Sequence, residues 1–380
     1  MKKIISFFLV LCAFSVLFAY TPRRIEPVET RSEAFGGPYF TDTTSVYSLF
    51  SNPAALGFIE KKTLWPPIAA MGLGGPLNKL FDMSKTLTGG GNPADLQNSI
   101  GGIIGESGLS LGVKIGGPLT FGAVRNNFGW GFVNTIGVDA NIFSIGRSDV
   151  RGGGGLGLVL GYGYPLDLGS AGILSIGFSG RAMSQLETLY DQGVIDLVMN
   201  SAWADIPAYL SFGFGLDLGV QYKVFDFLSI AAVWQDLYAP VWIKTYPKIV
   251  EFGQNGGKFT YALIEPRLGF GLKADIPISK ITAGIISEWA VYADYNNIWR
   301  FFRKNALYRN PVLELSFGTE LVLFKIIALR IGVNEMYPAA GVGLNLGKFK
   351  MDFSIFGKEL GFEPGYNPQL NTGFSMLIKY

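Results

Sequence analysis

Leu210-Ser211-Phe212-Gly213-Phe214-Gly215-Leu216-Asp217-Leu218-Gly219-Val220-Gln221-Tyr222 alternates without a fault between an apolar residue and a glycine or polar one. Successive side chains of a β-strand point to opposite faces, so this stretch has one face of Leu210, Phe212, Phe214, Leu216, Leu218, Val220 and Tyr222. The other face carries Ser211, Gly213, Gly215, Asp217, Gly219 and Gln221. The pattern recurs. Leu268, Phe270, Leu272 and Ala274 alternate with Arg267, Gly269, Gly271, Lys273 and Asp275. Leu313, Leu315, Phe317, Leu321 and Leu323 alternate with Glu314, Ser316, Gly318 and Glu320, and Thr319 is the one polar residue on the apolar side. Leu329, Ile331 and Val333 face away from Arg330, and Val342, Leu344 and Leu346 face away from Asn345.

A soluble β-sandwich also alternates, but its polar face is a solvated outer surface rich in Lys, Thr and Glu. Here the polar face is Gly, Ser and isolated charges, and the apolar faces carry no charge at all. A charge at mid-depth on the lipid face of a membrane barrel costs about 2–4 kcal/mol, which explains such a face. Aromatic residues near strand ends, Tyr222, Trp234, Trp289, Tyr292 and Tyr380, fit interfacial girdles. The fold class is therefore all-β: a transmembrane antiparallel β-barrel.

Short connections fall at Arg125–Asn127, Pro165–Ala171, Val224–Phe227, Ile276–Lys280, Phe324–Lys325 and Gly347–Lys348. Longer insertions fall near 75–105, 145–152, 187–207, 243–260, 295–311, 334–338 and 358–369, with a loop helix expected over Gln185–Ser201. The two sets interleave and predict about fourteen strands from Thr63 to Tyr380, an even number as single-chain bacterial barrels require. That parity demands that the second strand run through Gly116-Gly117-Pro118 without turning, kinked where Pro breaks the ladder. The final strand puts Phe374, Met376, Ile378 and Tyr380 outward, with Leu377 an apolar exception inside.

Residues 1–19 read as a signal peptide: Lys2 and Lys3, an apolar run from Ile4 to Phe18, and a small residue at Ala19. They contain Cys12, the only cysteine of the 380 residues. Basic and acidic residues number 31 and 29, so there is no electrostatic footprint for nucleic acid. The sequence has no His, which removes the Ser-His-Asp triad, His-ligated zinc and imidazole acid–base catalysis. Gly152–Gly155 lacks the Gly-Lys-Ser/Thr ending of a phosphate loop and reads as a flexible extracellular turn. Neither an enzyme nor a cofactor or metal site is expected.

Residues 20–62 do not alternate. They contain Phe35-Gly36-Gly37, then Thr44-Ser45-Val46-Tyr47-Ser48-Leu49-Phe50-Ser51-Asn52-Pro53-Ala54-Ala55-Leu56-Gly57. This resembles the N-terminal hatch of the FadL-type long-chain fatty-acid transport family and its PorV-like relatives, with Gly36, Gly37, Asn52, Pro53 and Ala54 carrying the match. Val46 and Ser51 stand where the family often has Ala and an aromatic residue. The resemblance implies a fourteen-strand barrel, residues 63–380, plugged by a hatch, residues 20–62. It also implies passive passage of a hydrophobic small molecule such as a long-chain fatty acid through the outer membrane of a diderm bacterium, by movement of the hatch or through a gap in the wall. The alternative it implies is a PorV-like scaffold that binds protein partners. The partners expected are the lipid bilayer, the apolar solute and the outer-membrane assembly machinery, which recognises a terminal aromatic strand.

Inward glycines make room for such a hatch, and Arg181, Asp217, Arg267, Lys273, Glu314, Glu320 and Arg330 are its expected polar contacts in the lumen. Leu186, Leu189, Trp203, Trp242 and Tyr246, in segments read as loops, are candidates to line a ligand pocket.

Overall fold

The computed structural model describes residues 20, 22–37, 39–43, 47–59, 63–65, 69–76, 108–117, 119–144, 146–193, 202–254, 257–278, 284–302 and 309–378, with isolated positions between them. The expected signal peptide, 1–19, and the terminal Tyr380 lie outside the described residues.

Eighteen hydrogen-bonded segments form one sheet, and in four places two consecutive segments continue a single strand across a break. The wall thus has fourteen antiparallel strands. They are β1 (Thr63–Trp65 and Ala69–Gly74), β2 (Leu109–Gly116 and Phe121–Arg125), β3 (Phe128–Ser144), β4 (Arg147–Asp167) and β5 (Ile173–Tyr190). Next come β6 (Ala208–Phe225), β7 (Leu228–Tyr238 and Pro240–Tyr246), β8 (Lys258–Leu263 and Arg267–Asp275), β9 (Ile286–Tyr295) and β10 (Leu315–Leu323). The last four are β11 (Ile327–Asn334), β12 (Tyr337–Leu346), β13 (Phe349–Glu359) and β14 (Pro368–Ile378). Each pairs with its sequence neighbour, and β14 pairs with β1 through Asn371–Met376 and Ala69–Gly74. That pairing closes the barrel, as a sheet exposed to hydrocarbon requires. No helix of the described residues is long and apolar enough to cross a membrane.

The register follows the alternation. Phe212, Phe214, Leu216, Leu218 and Val220 are exposed on the outer face, whereas Ser211, Asp217 and Gln221 are buried inside. Phe317, Leu329, Ile331, Val333, Val342 and Phe374 also face outward. Thr319 keeps its place on the apolar face because its hydroxyl accepts the Trp289 indole N–H at 2.9 Å and donates to the Ala290 carbonyl. Tyr292 departs from the expected girdle. It is buried in the lumen, stacked on Tyr39 at 4.8 Å.

The tight turns are built from residues with positive φ. Asn126 and Asn127 (50° and 67°) join β2 to β3, and Glu335 and Met336 (51° and 70°) join β11 to β12. The second turn is two residues long, not the longer insertion expected near 334–338. The insertion expected at 145–152 is likewise a short turn, and Gly152–Gly155 are strand residues of β4 paired with β3 and β5. The helix expected over Gln185–Ser201 is strand as far as Tyr190. β3–β6 therefore run for 17–21 residues, well past the ~9–11 that cross a bilayer, while β9–β14 have 8–11.

Strand β2 resumes beyond residue 118 without turning back, as the parity argument requires, since both halves pair with β3. Its break is sealed by the Asn134 side chain, which donates to the Gly117 carbonyl (3.1 Å) and accepts from the Leu119 N–H (3.1 Å). A second break interrupts β7 and β8 together.

This register predicts that Leu216→Arg or Phe317→Arg impairs assembly by about 2–4 kcal/mol, since each puts a charge into lipid. Asn345→Arg, on the inner face and solvent-exposed, should cost far less. Folding yield into bilayers measures the difference.

Candidate functional site

The lumen is occupied by the described residues of the chain's own N-terminal segment, between Tyr20 and Ile59. Wall glycines permit the approach. A Cβ at Gly163 or Gly177 would come within 2.8 Å or 2.5 Å of the Pro53 carbonyl oxygen. In return, Gly36 and Gly37 adopt φ of 107° and 137°, and a Cβ at Gly36 would lie 2.8 Å from the carbonyls of both Phe317 and Val333. Only glycine has this freedom.

Asn52 explains the Asn-Pro-Ala motif. Its side-chain oxygen accepts the Ala54 N–H at 2.9 Å and caps the 3₁₀ helix Pro53–Phe58, which has Pro at its first position. Its amide donates to the Phe40 carbonyl (2.7 Å) and to Gln221 Oε1 of β6 (3.3 Å). Ala54 is bonded to the wall through its carbonyl, which accepts from the Ser175 hydroxyl at 2.7 Å. Ala54 and Leu56 are wholly buried. One motif thus turns the chain, starts a helix and fixes it to the barrel.

Two buried clusters of ion pairs fix the rest. In the first, Arg24 Nη1 lies 3.2 Å from Asp217 and 3.2 Å from Asp236, and Nη2 donates to the Phe50 carbonyl at 2.6 Å. Arg181 binds the same two carboxylates. Asp236 sits in a bulge of β7 at φ 54°, where its N–H donates to Asp217 Oδ1 at 2.8 Å. Two guanidinium groups thus balance two carboxylates. In the second cluster, Glu320 accepts from Arg31 (2.5 Å) and Arg330 (2.7 Å), Arg31 also pairs with Asp42, and Arg330 reaches Asp352 at 2.6 Å. A third contact ties Tyr20 to Glu187 at 2.5 Å, beside Arg151.

Of the expected lumen contacts, Arg181, Asp217, Glu320 and Arg330 are members of these clusters. Arg267 pairs with Glu26 of the N-terminal segment at 2.8 Å. Lys273 pairs within its own strand with Asp275 and lies over the Tyr292 ring. Glu314 lies 3.5 Å from Arg300 of the loop after β9. The sequence reading missed Arg24, Arg31, Asp42 and Asp236, four of the nine charged groups in the two clusters. The signal available for the arginines was their place in a segment otherwise poor in strand pattern. Asp236 gave none, because its bulge breaks the alternation.

The proposed pocket residues do not converge. Leu186 continues the outward parity of Ile176 and Phe178 on β5, and Leu189 lies opposite Arg151 in the sheet. Trp242 is 46% exposed on the outer wall, its ring 6.1 Å from those of Phe214 and Tyr261. Tyr246 is buried at the end of β7 against Phe252. The side chain of Trp203 lies outside the described residues. Strand alternation carried on through 186–189 and 242–246, so these apolar residues belong to the wall.

A small cavity does exist elsewhere, lined by Ile25 of the N-terminal segment, Val133, Val159, Met183, Phe214 and Ile264, with Arg181 and Asp236 at its polar side. It adjoins the second break. Between β7 and β8 the ladder stops after Gln235–Arg267 and resumes at Pro240–Leu263, bridged by one bond from the Ile264 N–H to the Ala239 carbonyl at 2.9 Å. Outside it gather the exposed rings of Phe214, Tyr238, Trp242 and Tyr261.

Arg24→Met should destabilise the protein by about 3–5 kcal/mol, because it leaves Asp217 and Asp236 to share Arg181 in a buried setting. Urea unfolding of the full chain in liposomes is the measurement.

No protein-family model and no curated protein sequence matches this chain. Solved structures do. The Ralstonia pickettii toluene transporter TbuX superposes with a TM-score of 0.53 at 12% identity, over 93% of this chain and 99% of that one. The P. putida toluene transporter TodX gives 0.51 at 12%, over 94% and 99%. The monoaromatic hydrocarbon channel CymD gives 0.51 at 11%, over 93% and 98%. With its closed fourteen-strand wall, and the resemblance carried by residues 35–57, this chain has the fold of the FadL-type hydrophobic-compound channels.

Proposed function

We propose that the protein is an outer-membrane channel for hydrophobic small molecules, without a catalytic step. Residues 1–19 are its signal peptide, 20–62 its hatch and 63–380 its barrel. The observation that carries this reading is the break between β7 and β8 with an apolar cavity behind it and exposed aromatic rings in front. An apolar solute gains about 0.8 kcal/mol for each CH₂ it removes from water, so it stays on a path of apolar surface and leaves where that path reaches lipid.

The hatch is fixed by buried ion pairs on both sides of the lumen, and expelling it whole would strip counter-ions from Asp217, Asp236 and Glu320 together. Sideways release past Ile264 breaks one backbone hydrogen bond instead. The net cost of one such bond is about 0.5–1.5 kcal/mol. The fatty-acid expectation and the monoaromatic compounds named for TodX, TbuX and CymD are both apolar, and both fit this route.

Two experiments test the reading. Deleting residues 20–60 should leave a folded barrel with a raised single-channel conductance, since the strands close their own hydrogen bonds; an intact barrel with unchanged current would refute the hatch. With Cys12 removed as part of the leader, Ala239→Cys with Ile264→Cys places the only two thiols across the break. Uptake of toluene and of a fatty-acid chain-length series into proteoliposomes should fall on oxidation and return on reduction. Uptake indifferent to the cross-link would refute sideways release, and no uptake of either class would leave the protein-binding scaffold as the better account.

A further inference from the structure

Carboxylates at the contact between the hatch and the wall almost all meet a cation: Glu26 with Arg24 and Arg267, Asp42 with Arg31, Asp217 and Asp236 with Arg24 and Arg181, Glu320 and Asp352 with Arg330. Glu33 does not. It ends the short helix α1 (Thr30–Glu33), which packs on β13 and β14, and no described cation comes within ion-pair distance. Its Oε2 is buried without a hydrogen-bond partner, and so is Oγ of Ser354, a fully buried residue of β13. Both oxygens converge over Gly373 of β14, which pairs with Ser354: a Cβ at residue 373 would stand 3.1 Å from Glu33 Oε2 and 2.6 Å from Ser354 Oγ. Thr30 Oγ1, one turn back on α1, is a third buried oxygen without a partner.

An unpaired carboxylate in such a place carries a large desolvation penalty, whereas a carboxylic acid is neutral and has a hydroxyl to donate. We propose that Glu33 is a proton-operated latch of the hatch: protonated, it donates to Ser354 and seats α1 on β13 and β14, and ionised, it becomes a half-buried charge, with Oε2 shut off from water and no ion-pair partner, and loosens that contact. The proton comes from solvent in the lumen and no other bond is made or broken. This inference goes beyond the channel reading but rests on residues 20–62 acting as a hatch.

The surroundings favour the acid form. Burial pushes the Glu33 carboxyl up, and Lys114 of β2 and Lys358 of β13, both exposed to the lumen, pull it back only in part, leaving it at about 7. Arg31 of the same helix is committed to Asp42 and Glu320, and Asp352 of β13 to Arg330. Lys350 of β13 lies 3.9 Å from that same Asp352, and Glu359 at the strand's end accepts backbone N–H groups and the Tyr337 hydroxyl. Glu29 and the Tyr47 hydroxyl lie beside the helix and add no positive charge. β12 and the described part of β14 carry no ionisable acid or base other than Tyr337. A carboxyl whose pKa is raised on folding stabilises the seated state below the usual Glu value of about 4.3, and that contribution is lost as pH climbs through about 7.

The full-length protein in planar bilayers tests this between pH 5 and 9. Conductance should be low in acid and rise several-fold with a midpoint near 7, whereas Glu33→Gln, permanently neutral, should stay low throughout. A variant that titrates like the wild type, or a wild type that does not respond, overturns the latch. If Glu33→Gln does not assemble, Ser354→Ala serves. It removes the hydroxyl that faces Glu33 Oε2 and should shift the midpoint by at least half a pH unit, and an unchanged midpoint overturns the proposal. The deletion of residues 20–60 separates the two readings: no rise in current there refutes the hatch, while a rise with a pH-indifferent wild type refutes only the latch.

Discussion

Hydrocarbon offers no hydrogen bonds, and every backbone N–H and C=O of the wall must therefore be met by another strand. The pairing of β14 with β1 follows from that demand, and so does the sealing of the β2 break by Asn134, a side chain standing in for a missing rung. Closure creates an interior with polar walls, and an interior needs filling. Residues 20–59 fill it, with glycines on both surfaces letting backbone meet backbone and arginines from the segment matched to carboxylates from the wall. In this setting an ion pair is a device of position more than of strength, since buried pairs repay their desolvation only when geometry and stoichiometry agree. Two arginines on Asp217 and Asp236 meet that condition.

The wall was legible in the sequence because lipid imposes a strict rule on one residue in two. Leu216 or Phe317 can be read without knowing what lies next to it, and fourteen strands emerged from turn chemistry and parity alone. The interior was legible only as composition. Glycines and charges could be assigned to it, but the partners of Arg181 or Glu320 depend on which strands face each other across the lumen, and no local pattern encodes that. Asp236 shows the limit most clearly: a residue at positive φ in a bulge, where periodicity fails, completes a cluster with Arg24, more than two hundred positions away.

The expected pocket failed for a related reason. Apolar residues at 186–189 and 242–246 border segments that read as long insertions, whereas β5 runs on to Tyr190 and β7 to Tyr246. Excess length converted pocket candidates into wall. The cavity that does exist needed two signals at once, the bulge at Asp236 and the discontinuity before Arg267, and it includes Ile25, which no strand pattern could have placed there.

The ion-pair clusters also constrain how the molecule is put together. Arg24 meets Asp217 across 193 residues and Arg31 meets Glu320 across 289, so the first part of the chain to be made waits for partners in its middle and its last third. A segment so engaged on opposite walls, with Ala54 and Asn52 bonded to β5 and β6, cannot be threaded in after the ring has shut. The strands must curl around it while the β14–β1 seam is still open. The segment is in effect the mandrel on which the barrel is wound, and a chain that zipped its last seam first would be a sound cylinder with its contents left outside.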